Sequence, residues 1–492
     1  MCAAAHAQDT LVFRLGGEAS ILNPILSTDT ASGAIEGPVF NGLFKVNEKL
    51  ELVPDLCRSF KVSKDGKVWT FHLRKDVLWH DGLPFTAHDA KFTFDAILNP
   101  KVNSVRRGDY IIDGEPIKFK VVDAYTLQAI LPRPFAPFKA RASMSILPKH
   151  ILEGTDINTS SFNRKPLGTG PFRFKEWLPG DQAVVTAFDR YYLGKPKLSE
   201  IVYKIIPDDN AGLVALETGH IDTDSIPPKD FDRIKKIKEI NTYQYDVLMY
   251  VYMGLNLDRP FFANKKVRQA LAYATDRDQL IKLVLKGFGS PAYCPMSPVS
   301  WAYSNDVARY KYDIKKAKQL LKKAGYEKGF EFTCLINQGN KEREKAAIIL
   351  QQQYKKIGVK MKIRVLEWSA LLKIVNNPGP KDFDAVIMGW SLGIDPDSYS
   401  IWHSSQYPKG FNFVHYNNPE ADKLLELGRT TIDQNERKKL YASLWKIISE
   451  DQPYIFLWYP RAITGVRDRV GGLSRPGPAG LFLNIEQVYI KK

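Results

Sequence analysis

The chain has 492 residues, more than one ordinary domain of about 100 to 200 residues holds, so two or three domains are expected. A 44% hydrophobic and 25% charged composition excludes wholesale disorder. Lysine plus arginine number 70 against 54 acids, a formal charge of +16 spread along the chain, which biases it only weakly toward anionic ligands or surfaces.

The first residues read MCAAAHAQD, where Ala5, His6 and Ala7 place small residues at the two positions a signal peptidase inspects, ahead of Gln8. Residues 1–7 are therefore read as a signal remnant. The alternatives are start residues without meaning, or a lipid-bearing Cys2, although no lipobox-type run precedes it. Cys2, Cys57, Cys294 and Cys334 form no CxxC pair and are too scattered for a disulfide framework. No apolar run reaches the roughly 18 to 20 residues of a membrane span.

In chain order, LVFRL at 11–15 predicts a strand broken by Gly16 and Gly17. KVWTFHLR at 67–74 alternates, with Val68, Thr70 and His72 on one face and Trp69, Phe71 and Leu73 on the other. EPIKFKVVD, TLQAILP, PFRFKEW and QAVVTAF continue this mainly β pattern, with Gly168, Gly170 and Pro171 as punctuation. The second half turns α/β. Val267, Leu271, Leu280 and Leu283 fall near one helical face, as do Ile314, Ala317, Leu320 and Leu321. The Asp313–Ala324 helix has a polar cap and stops at Gly325. FEFTCLIN, a helix over 341–357 ending at Gly358, and VKMKIRVLEW predict a βαβ unit.

Enzymatic motifs are absent: the chain holds no GxSxG, Walker A, HExxH or helix-opening GxGxxG sequence. No cofactor is expected. His72, His80 and His88 recur every eight residues, but their turn, strand and helix-start settings favour capping and packing over metal ligation. Lys315, Lys316, Lys318, Lys322 and Lys323 are interleaved with the apolar positions of one helix, a solvated face rather than a nucleic-acid footprint. The segment DFDAVIMGWSLGIDPDSYS carries more information: an apolar strand ends in Gly389 and Trp390 and is followed by Asp395, Pro396 and Asp397. Ligands of open α/β sheets collect at the carboxyl ends of strands, so this loop could offer a stacking surface and a cation site. The plainer reading is an Asp-Pro turn with Asp397 as a helix cap and Trp390 as packing.

At this loop the chain resembles the family 5 extracellular solute-binding proteins, the peptide, dipeptide and nickel receptors of ABC importers. The resemblance spans residues 10 to 490. It rests on FNGLF (40–44), LVPDL (52–56), the stretch from Val68 to Asp95, LGTGPFRF (167–174), ETGHID (217–222), VRQALAYATDRDQL (267–280), GWSLGIDPD (389–397), GFNFVHYNNPEADKLL (410–425) and PYIFLWYP (453–460). It implies an α/β, two-lobed periplasmic binding protein type II-like fold with an inserted, mainly β extra domain. The first lobe would comprise 8–46, 167–257 and 462–492, the insertion 47–166, and the second lobe 258–461.

The resemblance further implies a non-enzymatic binder that closes over a short peptide and presents it to a membrane permease, as a monomer that is periplasmic or at the cell surface. Asp395, then Asp397, would meet a ligand ammonium beside Trp390. The dipeptide binders carry a further acid soon after this tryptophan, and Ser391–Ile394 contains none. Arg343 or Lys345 would meet a ligand carboxylate. Nickel receptors use a histidine in a later loop, which points to His403, though one histidine is poor metal selectivity. Tyr245, Tyr250 and Tyr252 are assigned to core packing. The runner-up readings are a binder of a metal chelate or other non-peptide solute, and a hydrolase with a dispersed site.

Overall fold

The computed structural model describes residues 9–377, 379, 381–408 and 410–491. The signal reading of residues 1–7, Cys2 included, lies outside them. The chain divides into two compact units, 1–244 with 463–492, and 245–462.

The first unit contains two sheets. Its larger one is built on β1 (Thr10–Leu15), and its smaller one comprises β2 (Cys57–Val62), β3 (Val68–Leu73), β4 (Lys118–Asp123) and β5 (Thr126–Ile130) in the order β2-β3-β5-β4, all antiparallel. The predicted alternation of β3 is visible directly. Trp69, Phe71 and Leu73 are buried while Val68, Thr70 and His72 are half-buried, because successive residues of a strand face opposite sides. Phe60 stacks on Trp69 at 5.8 Å and Phe138 meets the same indole edge-on at 5.5 Å. Helix α1 (Thr30–Glu36) precedes this sheet, and α2 (Ala87–Leu98) covers it. Thr86 and Asp89 cap α2 reciprocally, with the Thr86 N–H donating to Asp89 Oδ2 at 2.9 Å.

In the larger sheet, β6 (Phe172–Leu178), β7 (Gln182–Ala187) and β8 (Glu200–Ile205) form an antiparallel meander. β8 runs parallel to β1 from Thr10↔Glu200 to Leu15↔Ile205, and β1 meets β9 (Thr223–Ser225). The LGTGPF motif sits where the two chain segments nearly touch: a methyl group on Gly168 would lie 1.9 Å from the Val39 carbonyl oxygen. His80 ties this turn to the smaller sheet. Its Nδ1 accepts from the Gly168 N–H at 3.2 Å and its Nε2–H donates to the Gly170 carbonyl at 3.0 Å, partners that define the neutral tautomer.

Two titratable groups here act in opposite directions. Burial pushes the Glu36 carboxyl up to about 7 from an ordinary 4.5, against the hydroxyl of Ser27 at 2.8 Å. Its contribution is complete below pH 4.5 and is lost as pH rises toward 7. Burial pushes His80 down to about 4 from an ordinary 6.5, so its contribution is complete above 6.5 and is lost as pH falls toward 4. At about 1.4 kcal/mol per pH unit, each is worth at most about 3 kcal/mol across its window. Glu36→Gln is therefore expected to gain on the parent by up to about 3 kcal/mol between pH 4.5 and 7. Urea melts of both proteins at several pH values check this; a pH-independent difference would refute the assignment.

The second unit holds β10 (Met249–Leu255), β11 (Glu331–Asn337), β12 (Lys360–Leu366), β13 (Ala385–Ser391) and the first part of β14 (Tyr454–Arg467), in the order β14-β10-β13-β11-β12. The latter part of β14 pairs with β9 in the first unit's sheet. β10 pairs with β13 along its whole length, from Met249↔Ser391 to Leu255↔Ala385. That pairing places β10 in this compact unit, which begins at Tyr245. Tyr250 and Tyr252 are fully buried, as core packing requires, while Tyr245 is half-buried.

Helices α3 (Lys265–Ala274), α4 (Arg277–Val284), α5 (Ile314–Lys323) and α6 (Lys341–Lys355) pack about this sheet. α5 starts at Asp313, whose side chain accepts from the Lys316 N–H, and is followed by Gly325 with φ 83°. β11, α6 and β12 form the predicted unit, with β11 and β12 parallel from Glu331↔Lys360 to Asn337↔Leu366. The single apolar face expected for Val267 through Leu283 is corrected. The chain breaks at Thr275 and Asp276 into two helices, and Leu283 is 43% exposed, because the break resets the helical phase.

The same segment carries two buried arginines that meet carbonyl groups. Arg268 donates to the carbonyls of Asp451 at 2.7 Å and Phe262 at 2.7 Å. Arg277 donates to those of Ala292, Phe456, Ala272 and Tyr310 at 2.8 to 3.2 Å. Burial lowers the pKa of both, that of Arg268 to about 10.

Candidate ligand site

The second unit brings Arg343, beside the carboxyl end of β11, near Gly389 toward the end of β13, and holds Asp395, Asp397 and His403 in contacts of their own. β13 is buried from Ala385 to Met388 and emerges at Gly389 and Trp390. Trp390 stacks on Phe413 at 5.6 Å and meets Phe411 edge-on at 5.6 Å, so two aromatic rings hold its indole.

Arg343 stands at the third position of α6, where its N–H donates to the Asn340 cap at 2.9 Å. Its Nη1 donates to Asn337 Oδ1 at the end of β11 at 2.8 Å. A methyl group on Gly389 would lie 2.8 Å from Met249 Cε and 3.4 Å from Nη2, so the glycine before Trp390 accommodates the Met249 side chain and lies close to this guanidinium. Burial presses the Arg343 pKa below its ordinary value, partly offset by the nearby Tyr252 phenol. Arg343 forms no ion pair with a carboxylate among the described residues. A half-buried guanidinium at the start of a 15-residue helix is suited to an anion, because the helix dipole adds to its charge. Lys345, by contrast, is exposed to solvent.

Both aspartates after Trp390 are already paired. Arg437 grips Asp395 with two bonds, Nη1 to Oδ2 and Nη2 to Oδ1, each 2.8 Å. Burial opposes the charge of Arg437, but the Asp395 bonds more than offset it and hold the arginine pKa above its ordinary value. Arg429 donates from Nε to both oxygens of Asp397, at 3.1 and 3.0 Å, and its guanidinium lies 4.0 Å from the Tyr399 ring centre. Asp395 and Asp397 are thus each paired with an arginine within the fold, so a ligand ammonium expected at either one would have to compete with Arg437 or Arg429. Asp397 is not the helix cap. That position belongs to Ser398, and Asp397 Oδ1 accepts from the Tyr399 N–H at 3.2 Å.

His403 is also committed locally. Its Nδ1 lies 2.7 Å from Ser405 Oγ, its Nε2 lies 3.4 Å from Glu426, and its ring stacks on Tyr399 at 4.1 Å. The described residues contain no group of three His, Cys, Asp or Glu side chains placed to hold a metal ion. Sequence reasoning missed Arg429 and Arg437, which lie 32 and 42 positions beyond their partners, with nothing local to link them.

Residues 51–412 match the family described as "Bacterial extracellular solute-binding proteins, family 5 Middle". The chain belongs to this family. The oligopeptide-binding protein AppA of Bacillus subtilis is 38% identical to this family 5 chain, with 97% of the chain and 90% of AppA covered. The solved structure of AppA in complex with a nonapeptide superposes with a TM-score of 0.82, covering 98% of this chain and 99% of that one. The ABC transporter substrate-binding protein CtaP of Listeria monocytogenes gives 0.92 at 31% identity, with 98% and 99% covered. NikZ of Campylobacter jejuni, in complex with Ni(L-His), gives 0.85 at 32% identity, with 98% and 100% covered. The fold is thus α/β, of the two-lobed type II binding-protein kind.

Proposed function

We propose that this protein is the substrate-binding component of an ABC importer, capturing short peptides and delivering them to a membrane permease. The observation that supports this most is the 38% identity, across 97% of the chain, to an oligopeptide-binding protein. Arg343 receives the carboxylate of the ligand and Trp390 walls the site beside it. A ligand ammonium is met elsewhere than at Asp395 or Asp397. The protein acts by binding alone, as a monomer outside the cytoplasm, either free or lipid-anchored. Residues 47–166 form the inserted domain. Micromolar affinity, about 8 kcal/mol, is within reach of main-chain hydrogen bonds and one charge-assisted contact after the cost of ordering the ligand.

Denaturing the purified protein and analysing the released small molecules by mass spectrometry tests this reading. Short peptides are the expected finding, and calorimetric titration of the emptied protein with them should give saturable binding without turnover. A stoichiometric metal chelate, or a single non-peptide solute, would replace the peptide reading. Peptide hydrolysis that is lost with a point substitution would replace the binding reading with an enzymatic one.

A further inference from the structure

We infer that Arg437 and Arg429 are positioning residues for ligand binding, holding the loop after Trp390 in its working shape through Asp395 and Asp397. This rests on the reading of Trp390 as a wall of the ligand site. The loop between β13 and Ser398 contains Gly393 and has no regular secondary structure, so little in its own backbone fixes it.

Two anchors come from elsewhere. The fork of Arg437 takes both oxygens of Asp395, and its Nε donates to the Gly428 carbonyl at 2.8 Å. It also lies 5.4 Å from the Trp301 ring centre and 5.6 Å from that of Tyr441. Its side chain is 6% exposed and that of Asp395 16%, so water competes little for the pair. Arg429 takes Asp397 and covers Tyr399. The two aspartates also shape the turn, since Asp395 Oδ1 accepts from the Asp397 N–H at 3.0 Å. Arg429 belongs to the helix Pro419–Thr430 and Arg437 to the helix Gln434–Asp451. The loop is therefore fastened to two consecutive helices, one aspartate to each, five and seven residues after Trp390.

Hydrogen exchange of the ligand-free protein and titration with a library of unblocked tri- to nonapeptides test this on Arg437→Gln, Arg437→Lys and Arg429→Gln. The expected result for Arg437→Gln is at least tenfold faster exchange over residues 391–398, unchanged exchange in the β13 core at Val386 and Ile387, and at least tenfold weaker peptide binding. Arg429→Gln, whose arginine is 23% exposed, should show the same pattern more weakly, and carries the test if Arg437→Gln does not fold. Arg437→Lys, which keeps the charge but not the two-pronged geometry, should recover less than half of the lost affinity. Unchanged exchange over 391–398 would overturn the positioning role. Faster exchange with unchanged affinity would overturn its link to binding. If the parent protein binds no library peptide while the exchange changes appear, the peptide reading fails and the fastening of the loop stands.

Discussion

Arg343→Gln is expected to weaken binding of an unblocked peptide by about ten- to a hundredfold. The guanidinium is half-buried, donates to Asn337 and forms no ion pair with a carboxylate among the described residues. A hydrogen bond to a charged partner in such a place is worth about 1.5 to 3 kcal/mol, and 1.4 kcal/mol is tenfold in affinity. The decisive control is the ligand. Amidating the peptide's C-terminus should weaken binding to the parent protein by a similar factor and cause little further loss in the variant, because the two changes remove the same contact. Titration calorimetry of the four combinations measures this. Equal losses on amidation in both proteins would place the carboxylate elsewhere. Lys345→Gln, on the exposed position two residues later, should leave affinity within about twofold, since a solvated lysine contributes little.

Arg277→Met is expected to destabilise the protein by about 3 to 5 kcal/mol. The arginine is 4% exposed, and its donors meet five main-chain carbonyls, those of Ala272, Thr275, Ala292, Tyr310 and Phe456. Methionine fills much of the volume but leaves those carbonyls without a donor, and burying an unsatisfied polar group costs about 1 to 3 kcal/mol each before relaxation. Arg277→Lys should recover little, because a compact ammonium cannot reach carbonyls spread around a planar fork. Urea unfolding, followed by a probe in the second unit, measures the effect. A loss under about 1 kcal/mol for Arg277→Met would show that water replaces the guanidinium.

These two arginines illustrate what could be read in advance. Arg343 was singled out, together with Lys345, because the family resemblance puts the partner of a ligand carboxylate at the start of the helix after FEFTCLIN, and the helix does begin there. Arg277 stands in a recognisable motif, yet nothing near it reveals that its partners include a carbonyl 179 residues away. Arg429 and Arg437 look like ordinary surface charges of two amphipathic helices, and Asp395 looks like a free carboxylate, until the helices are placed against the loop.

Sequence alone determined the local elements: the alternating faces of β3, the Asp313 cap of α5, the glycine stops after α5 and α6, and the emergence of β13 at Trp390. Each depends on side-chain direction and backbone preference within a few residues, which the chain order contains. Tertiary structure alone decided where β10 belongs, that Leu283 is exposed, and that Asp395 and Asp397 are each paired with an arginine. Charge pairing and burial depend on which distant segments the topology brings together, and a carboxylate has the same letter in a sequence whether it faces water, a ligand or a buried arginine.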